Sequence, residues 1–179
     1  MFRMMRVQSG FSLVEALVAL VVLSIGMLGI AGMYVESVRN GRVALTRTQA
    51  VNLVSDMADR IRANANAGAS YATATYASAP AQHDCAPTSS SAGGNCGIAD
   101  LAEDDLARWV AAVRATLPAD GAGLPAAEVQ YFPAPAPREP DRYRVSIRWK
   151  EPTEQKNGAG PNVYSYRTDV VIQPRPPVS

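Results

Sequence analysis

Residues 11–35 form an almost unbroken apolar run, with Ser12, Glu15 and Ser24 as the clearly polar interruptions before Tyr34. About 20 apolar residues suffice to cross a bilayer as a helix, so this stretch predicts a membrane-spanning or equally enclosed helix. Residues 36–63 keep the helical period but confine their apolar positions to one side. Ala50, Leu53, Val54, Met57, Ala58 and Ile61 recur at helical spacing, which predicts an amphipathic continuation packed on a core. No proline interrupts residues 11–79, and Asn64 to Ser70 supplies a stop. A second helix is predicted near 100–117, with Leu106, Trp109, Val110, Val113 and Leu117 as its buried face and Asp100 with Glu103 as a capping box. Glu103, Asp104 and Asp105 read as a solvated first turn favoured by the helix dipole.

The C-terminal third changes period. Tyr143, Val145, Ile147 and Trp149 alternate with Arg144, Ser146, Arg148 and Lys150, the cleanest two-residue repeat in the chain. Glu128 to Phe132 and Tyr164 to Ile172 predict two further strands, with Lys156-Asn157-Gly158 as a hairpin loop. Pro133 to Pro140 reads as an extended connector, and Pro174 to Pro177 cannot continue a sheet. The basic side of the central strand suits a solvated outer face better than a contact with DNA or a neighbouring subunit. Residues 65–97, rich in Ala, Ser, Thr and Gly, read as a loop.

Composition adds bounds rather than a function. A chain of 179 residues has room for one domain plus an anchor, and a net charge of +1 gives no global field for a polyanion. The candidate chemistry is sparse. There is one histidine, His83, and the two cysteines, Cys85 and Cys96, lack the Cys-x-x-Cys spacing of a redox pair and any standard zinc pattern. No nucleophile with a base and no phosphate loop is present, so no catalytic residue, cofactor or metal site is assigned.

Glu15 is the anomaly. An ionisable group costs roughly 2.5–3.5 kcal/mol at the centre of a membrane helix, and less near its end, but it still needs a partner. A secretory signal peptide has a shorter apolar run, and a plain signal anchor, oriented by Arg3 and Arg6, leaves Glu15 and the Gly10-Phe11 junction unexplained. Gly10-Phe11-Ser12-Leu13-Val14-Glu15, behind a short basic leader, resembles the class III signal of type IV pilins and pseudopilins. Asp56 to Asn64, containing Ala-Asp-Arg-Ile-Arg-Ala-Asn, is similar to a segment of the PilV-type minor pilins.

The resemblance implies an α+β pilin-like fold, a long helix laid on a small antiparallel sheet. It implies a leader of residues 1–10, a hydrophobic helix half at 11–35, an amphipathic half at 36–64 and a globular head at 65–179. A prepilin peptidase would cut between Gly10 and Phe11 and methylate the Phe11 amine. Glu15 would pair with that amine on a neighbouring subunit. The implied product is a minor pilin that supports pilus assembly and twitching motility, and not an enzyme. Its partners would be the peptidase, other minor pilins, the major pilin, an inner-membrane assembly platform and the bilayer, with no nucleic acid. The head would face the periplasm and then the cell surface, where oxidising conditions favour a Cys85–Cys96 disulfide. A minor pseudopilin of type II secretion and a membrane-anchored binding protein remain as alternatives. Gly26, Gly29 and Gly32 form a small-residue stripe, with close helix packing and local softness equally open as explanations.

Overall fold

The computed structural model describes residues 12–73, 80–83, 85, 96–119, 123, 125–136, 139–151 and 163–172. Helix α1 runs from Leu13 to Ala63, a 3-10 helix from Gly68 to Tyr71, and helix α2 from Ile98 to Thr116. Strands β1 (Ala126–Phe132), β2 (Asp141–Lys150) and β3 (Val163–Ile172) follow. The chain divides into two units, Met1–Arg42 and Val43–Ser179, and α1 contributes to both.

In the first unit the described residues are helical from Leu13 onward, and every large apolar side chain from Leu13 to Val35 is at least half exposed. Ser24 satisfies its hydroxyl inside the helix by donating to the Leu20 carbonyl at 2.7 Å, which lets a polar residue sit in an apolar run.

The second unit has one core. From α1 it takes Ala50, Val54, Met57, Ala58 and Ile61, the predicted face, with Leu53 partly buried at its margin. From α2 it takes Ala102, Leu106, Trp109, Val110 and Val113 at the same helical period. The two helices are tied by a hydrogen bond from Trp109 Nε1 to the Leu53 carbonyl at 2.8 Å and another from Asn64 Nδ2 to the Ile98 carbonyl at 3.0 Å.

The sheet is an antiparallel meander in the order β1-β2-β3. Tyr143, Val145, Ile147 and Trp149 of β2 all face the core and are at most 3% exposed. Val129 of β1 and Val170 of β3 extend that inward face. β3 is thinly covered: Val170 is buried, while Tyr166 on the same side is 36% exposed. At the free side of β1, Thr73 and Val129 exchange bonds, amide to carbonyl and amide to hydroxyl, both 2.9 Å. These bonds use up part of the unpaired edge that strands otherwise present to other chains.

Three expectations change. The second helix begins at Ile98, with Gly97 as its N-cap and Asp100 at the third helical position, where the carboxylate accepts the Gly97 amide at 3.1 Å. Glu103 is therefore no part of a capping box. Asp104 and Asp105 are not a solvated turn either, for Asp104 is 2% exposed and both are engaged by arginines. The region after α1 is not all loop, since Gly68–Tyr71 is helical and Tyr71 is completely buried. Gly68 adopts φ +51°, a left-handed turn that a side chain would strain. Its carbonyl accepts the Tyr143 hydroxyl at 3.0 Å. The expected hairpin loop at 156–158 lies outside the described residues.

Met57→Ala is expected to destabilise the fold by about 2–5 kcal/mol through loss of buried volume. Val51→Ala, at a position 37% exposed on the same helix, should stay within about 0.5 kcal/mol. Urea unfolding of the two variants checks this, and equal costs would mean that α1 does not pack through the Met57 face.

Candidate assembly interface

Glu15 lies in the first turn of α1, exposed, on the half of the helix that is apolar around its whole circumference. The amides of Glu15 and Ala16 both donate to the Ser12 carbonyl, at 3.0 and 3.2 Å, so the turn that carries the acid is formed from Ser12 onward. Gly10 and Phe11, the expected cleavage and methylation positions, lie outside the described residues. The helix is long and apolar enough to cross a membrane. A helix that is apolar all round finds a favourable environment only among other apolar groups, in lipid or in a bundle of like helices. A Cβ built on Gly26, Gly29 or Gly32 meets nothing within 4 Å. Packing within this chain therefore does not demand glycine at these positions.

In the second unit, polar staples fix the remainder of α1. Arg47 forks onto Glu151, donating from Nε at 3.0 Å and Nη2 at 2.9 Å. The Glu151 side chain is fully enclosed, and its Oε1 also accepts Trp149 Nε1 at 3.1 Å. Arg47 stacks over the Tyr164 ring at 4.9 Å. The bidentate fork gives direction as well as attraction, so α1 is set in register against the end of β2.

A second staple stands near the end of α1. Arg60 reaches Asp56 within its own helix at 2.9 Å and Asp105 of α2 at 2.8 Å. The Tyr71 hydroxyl donates to the other Asp105 oxygen at 2.7 Å. Burial, together with that carboxylate, pushes the Tyr71 phenol well above its ordinary range. Burial likewise pushes Tyr143 up to about 12. Both hydroxyls stay protonated at physiological pH and act as fixed donors.

Cys85 and Cys96 are joined in a disulfide, with Cα atoms 5.7 Å apart. The expected pairing is thus present, and it delivers the chain to the Gly97 cap of α2. His83, expected as a plain loop residue, instead meets Glu103 with Nε2 and Oε2 2.9 Å apart. That hydrogen bond raises the imidazole pKa, burial opposes it, and the charges of Asp100, Glu103 and Asp104 add to it. Among the described residues no group of three or more His, Cys, Asp or Glu side chains could hold a metal ion. Sequence patterns missed Arg47, Glu151, Tyr71 and Asp105. The one available signal was the presence of aromatic residues, Tyr71 and Tyr76, in an otherwise Ala- and Ser-rich stretch.

Two family models match the chain in adjoining stretches. The prokaryotic N-terminal methylation motif matches residues 5–31, and the family described as type IV pilin Tt1218 matches residues 32–107. No curated protein and no solved structure matches.

Arg47→Ala leaves an enclosed carboxylate without its counter-charge. It should lower the thermal midpoint by several degrees, whereas Arg62→Ala, whose partner Asp59 is 76% exposed, should leave it nearly unchanged. Thermal unfolding of both variants decides the ranking. For His83, the raised pKa means that its contact with Glu103 is at full strength below the ordinary histidine value of about 6.5. The contact is lost as pH rises through the raised value. An NMR titration of the ring should give a midpoint above the ordinary value, and Glu103→Gln should bring it down.

Proposed function

Because the chain belongs to the type IV pilin-like family, we propose that it is a PilV-type minor pilin, cut after Gly10 by a prepilin peptidase and carried into a pilus by its N-terminal helix. The observation that carries this reading is the first half of α1: a helix apolar on all sides, exposed throughout, with a single carboxylate in its opening turn. Removal of the leader takes Arg3 and Arg6 from a chain of 17 basic and 16 acidic residues and leaves it close to neutral. It also creates an amine at Phe11, four residues from Glu15.

The partner of Glu15 follows from electrostatics. Two unit charges ~4 Å apart attract by ~4 kcal/mol at an effective dielectric of 20, before desolvation is subtracted. Within one subunit the amine and the acid are only four residues apart in sequence. Between subunits, pairing them sets how far one helix slides past the next. A shifted register leaves both charges unmatched among apolar side chains, so the pair discriminates between registers more than it strengthens any one of them. Before assembly the same helix holds the protein in the inner membrane, and the disulfide-bearing head lies on the oxidising side. The role is structural, with the chain as the peptidase's substrate. It supports pilus assembly beside other minor pilins and the major pilin at the membrane platform, and through that, twitching motility.

Mass spectrometry of the mature chain is expected to find an N-methylated Phe11 at its start, and an intact Met1 would sink the proposal. Glu15→Ala should leave cleavage largely unchanged, because the scissile bond is untouched, while the subunit's content in purified fibres falls several-fold. Deletion of the gene should reduce surface pili and leave type II secretion intact. The reverse outcome would assign the chain to a secretion pseudopilus.

A further inference from the structure

The side of the sheet that faces away from the core carries an uneven charge. The register places Arg142, Arg144, Arg148 and Lys150 of β2 beside Arg167 of β3 on this side, with Glu128 and Asp169 as the facing carboxylates among the described residues. Arg144 forks onto Asp169 at 2.9 and 3.3 Å and lies over the Phe132 ring at 5.4 Å. Apolar groups interrupt the cations: Phe132 is 36% exposed and Val171 47%. Phe132, Arg142, Arg144 and Asp169 line a shallow recess with Tyr143 behind them.

This mixture fits a protein better than a nucleic acid. A polyphosphate chain is repelled by a carboxylate seated among the arginines and gains nothing from exposed valine. Arginine and aromatic anchors around a recess are what protein interfaces concentrate. The complementary surface is present on the same chain. The first turns of α2 present Asp100, exposed, and Glu103, part-exposed beside His83, while Asp104 and Asp105 turn inward to Arg108 and Arg60. Beside these acids Ile98 is 51% exposed and Leu101 37%. Acid with aliphatic on α2 matches base with aromatic and aliphatic on the sheet.

We infer that the outer sheet face of one copy docks the N-terminal turns of α2 of a second copy, with Arg142 and Arg167 facing Glu103 and Asp100, and Ile98 and Leu101 against Phe132 and Val171. The two patches are different surfaces of one head, so the contact is heterologous. Such a contact adds copies head to tail instead of closing a dimer. Exposed charge pairs contribute little affinity individually, and here they select orientation while the apolar residues supply the contact. The inference goes beyond the processing reading, which concerns residues 10–15, and stands or falls separately from it.

The test places a photo-crosslinking benzoylphenylalanine at Ser165, an exposed position on the outer face, in the full chain in its membrane. The expected product is an adduct of two copies whose joined peptide contains residues 98–103. Arg142→Glu with Arg167→Glu should lower the yield about tenfold, and Arg142→Lys with Arg167→Lys should keep it. A second, tagged chain carrying Glu103→Lys should recover part of the lost adduct with the double-Glu probe chain, which separates lost pairing from lost folding. The inference is overturned by adducts only with another protein, with nucleic acid or with lipid, by a joined peptide elsewhere in the chain, by a yield indifferent to charge reversal, or by no adduct at all.

Discussion

One constraint governs this molecule: a single continuous helix must satisfy two different surroundings. Its backbone is satisfied by its own ladder in either, which is why a helix can do this and a strand cannot. What changes along α1 is where the apolar side chains point. From Leu13 to Val35 they cover the whole circumference and are exposed. From Ala50 to Ile61 they narrow to a stripe, and the stripe is buried. The first half therefore has no stable resting place in water, and the second is already provided for by its own head. On the proposed reading that division, more than any individual contact, is what suits the chain to anchoring and assembly.

The polar interactions follow from the same division. A helix whose far half is loaded by lipid or by neighbours needs its near half held against sliding and rotation, and apolar packing resists both poorly. The Arg47–Glu151 fork and the Arg60–Asp105–Tyr71 network supply direction at two places along α1, 13 residues apart in sequence. Burying a carboxylate such as Glu151 is unfavourable in isolation. It is tolerated because two guanidinium bonds and an indole bond meet it at once. Such clusters contribute less to total stability than to the uniqueness of the packed arrangement.

How much of this could be read from residue order depends on range. The two-residue alternation of β2 placed Tyr143, Val145, Ile147 and Trp149 inward, and all four are buried, because a strand covered on one face has no freedom in the matter. The stripe on α1 was legible for the same reason. The staples were not. Arg47 and Glu151 are 104 residues apart, and Tyr71 and Asp105 are 34 apart, and neither pair belongs to a periodic pattern that would mark it. The acids of α2 were misread because helix-dipole reasoning treats the first turn as solvent-facing, while the fold brings Arg60, Arg108 and His83 to them. Gly10 and Phe11 rest on the motif alone and lie outside the described residues.

Glu15 then takes its place among these carboxylates by contrast. Glu151 is enclosed and satisfied inside its own chain, so it can be permanent. Glu15 is exposed on an apolar helix, and on the proposed reading it is satisfied only by the amine of another subunit. Apolar helices attract one another at many offsets with similar energy, since sliding exchanges one aliphatic contact for another. A lone charge removes that degeneracy, because only one offset brings an opposite charge to it and every other offset leaves it stranded in a medium that solvates it badly. On that reading the cost of carrying an acid into lipid is the source of its selectivity, and a neutral residue there would leave the subunit without a preferred offset and so less readily retained in the fibre.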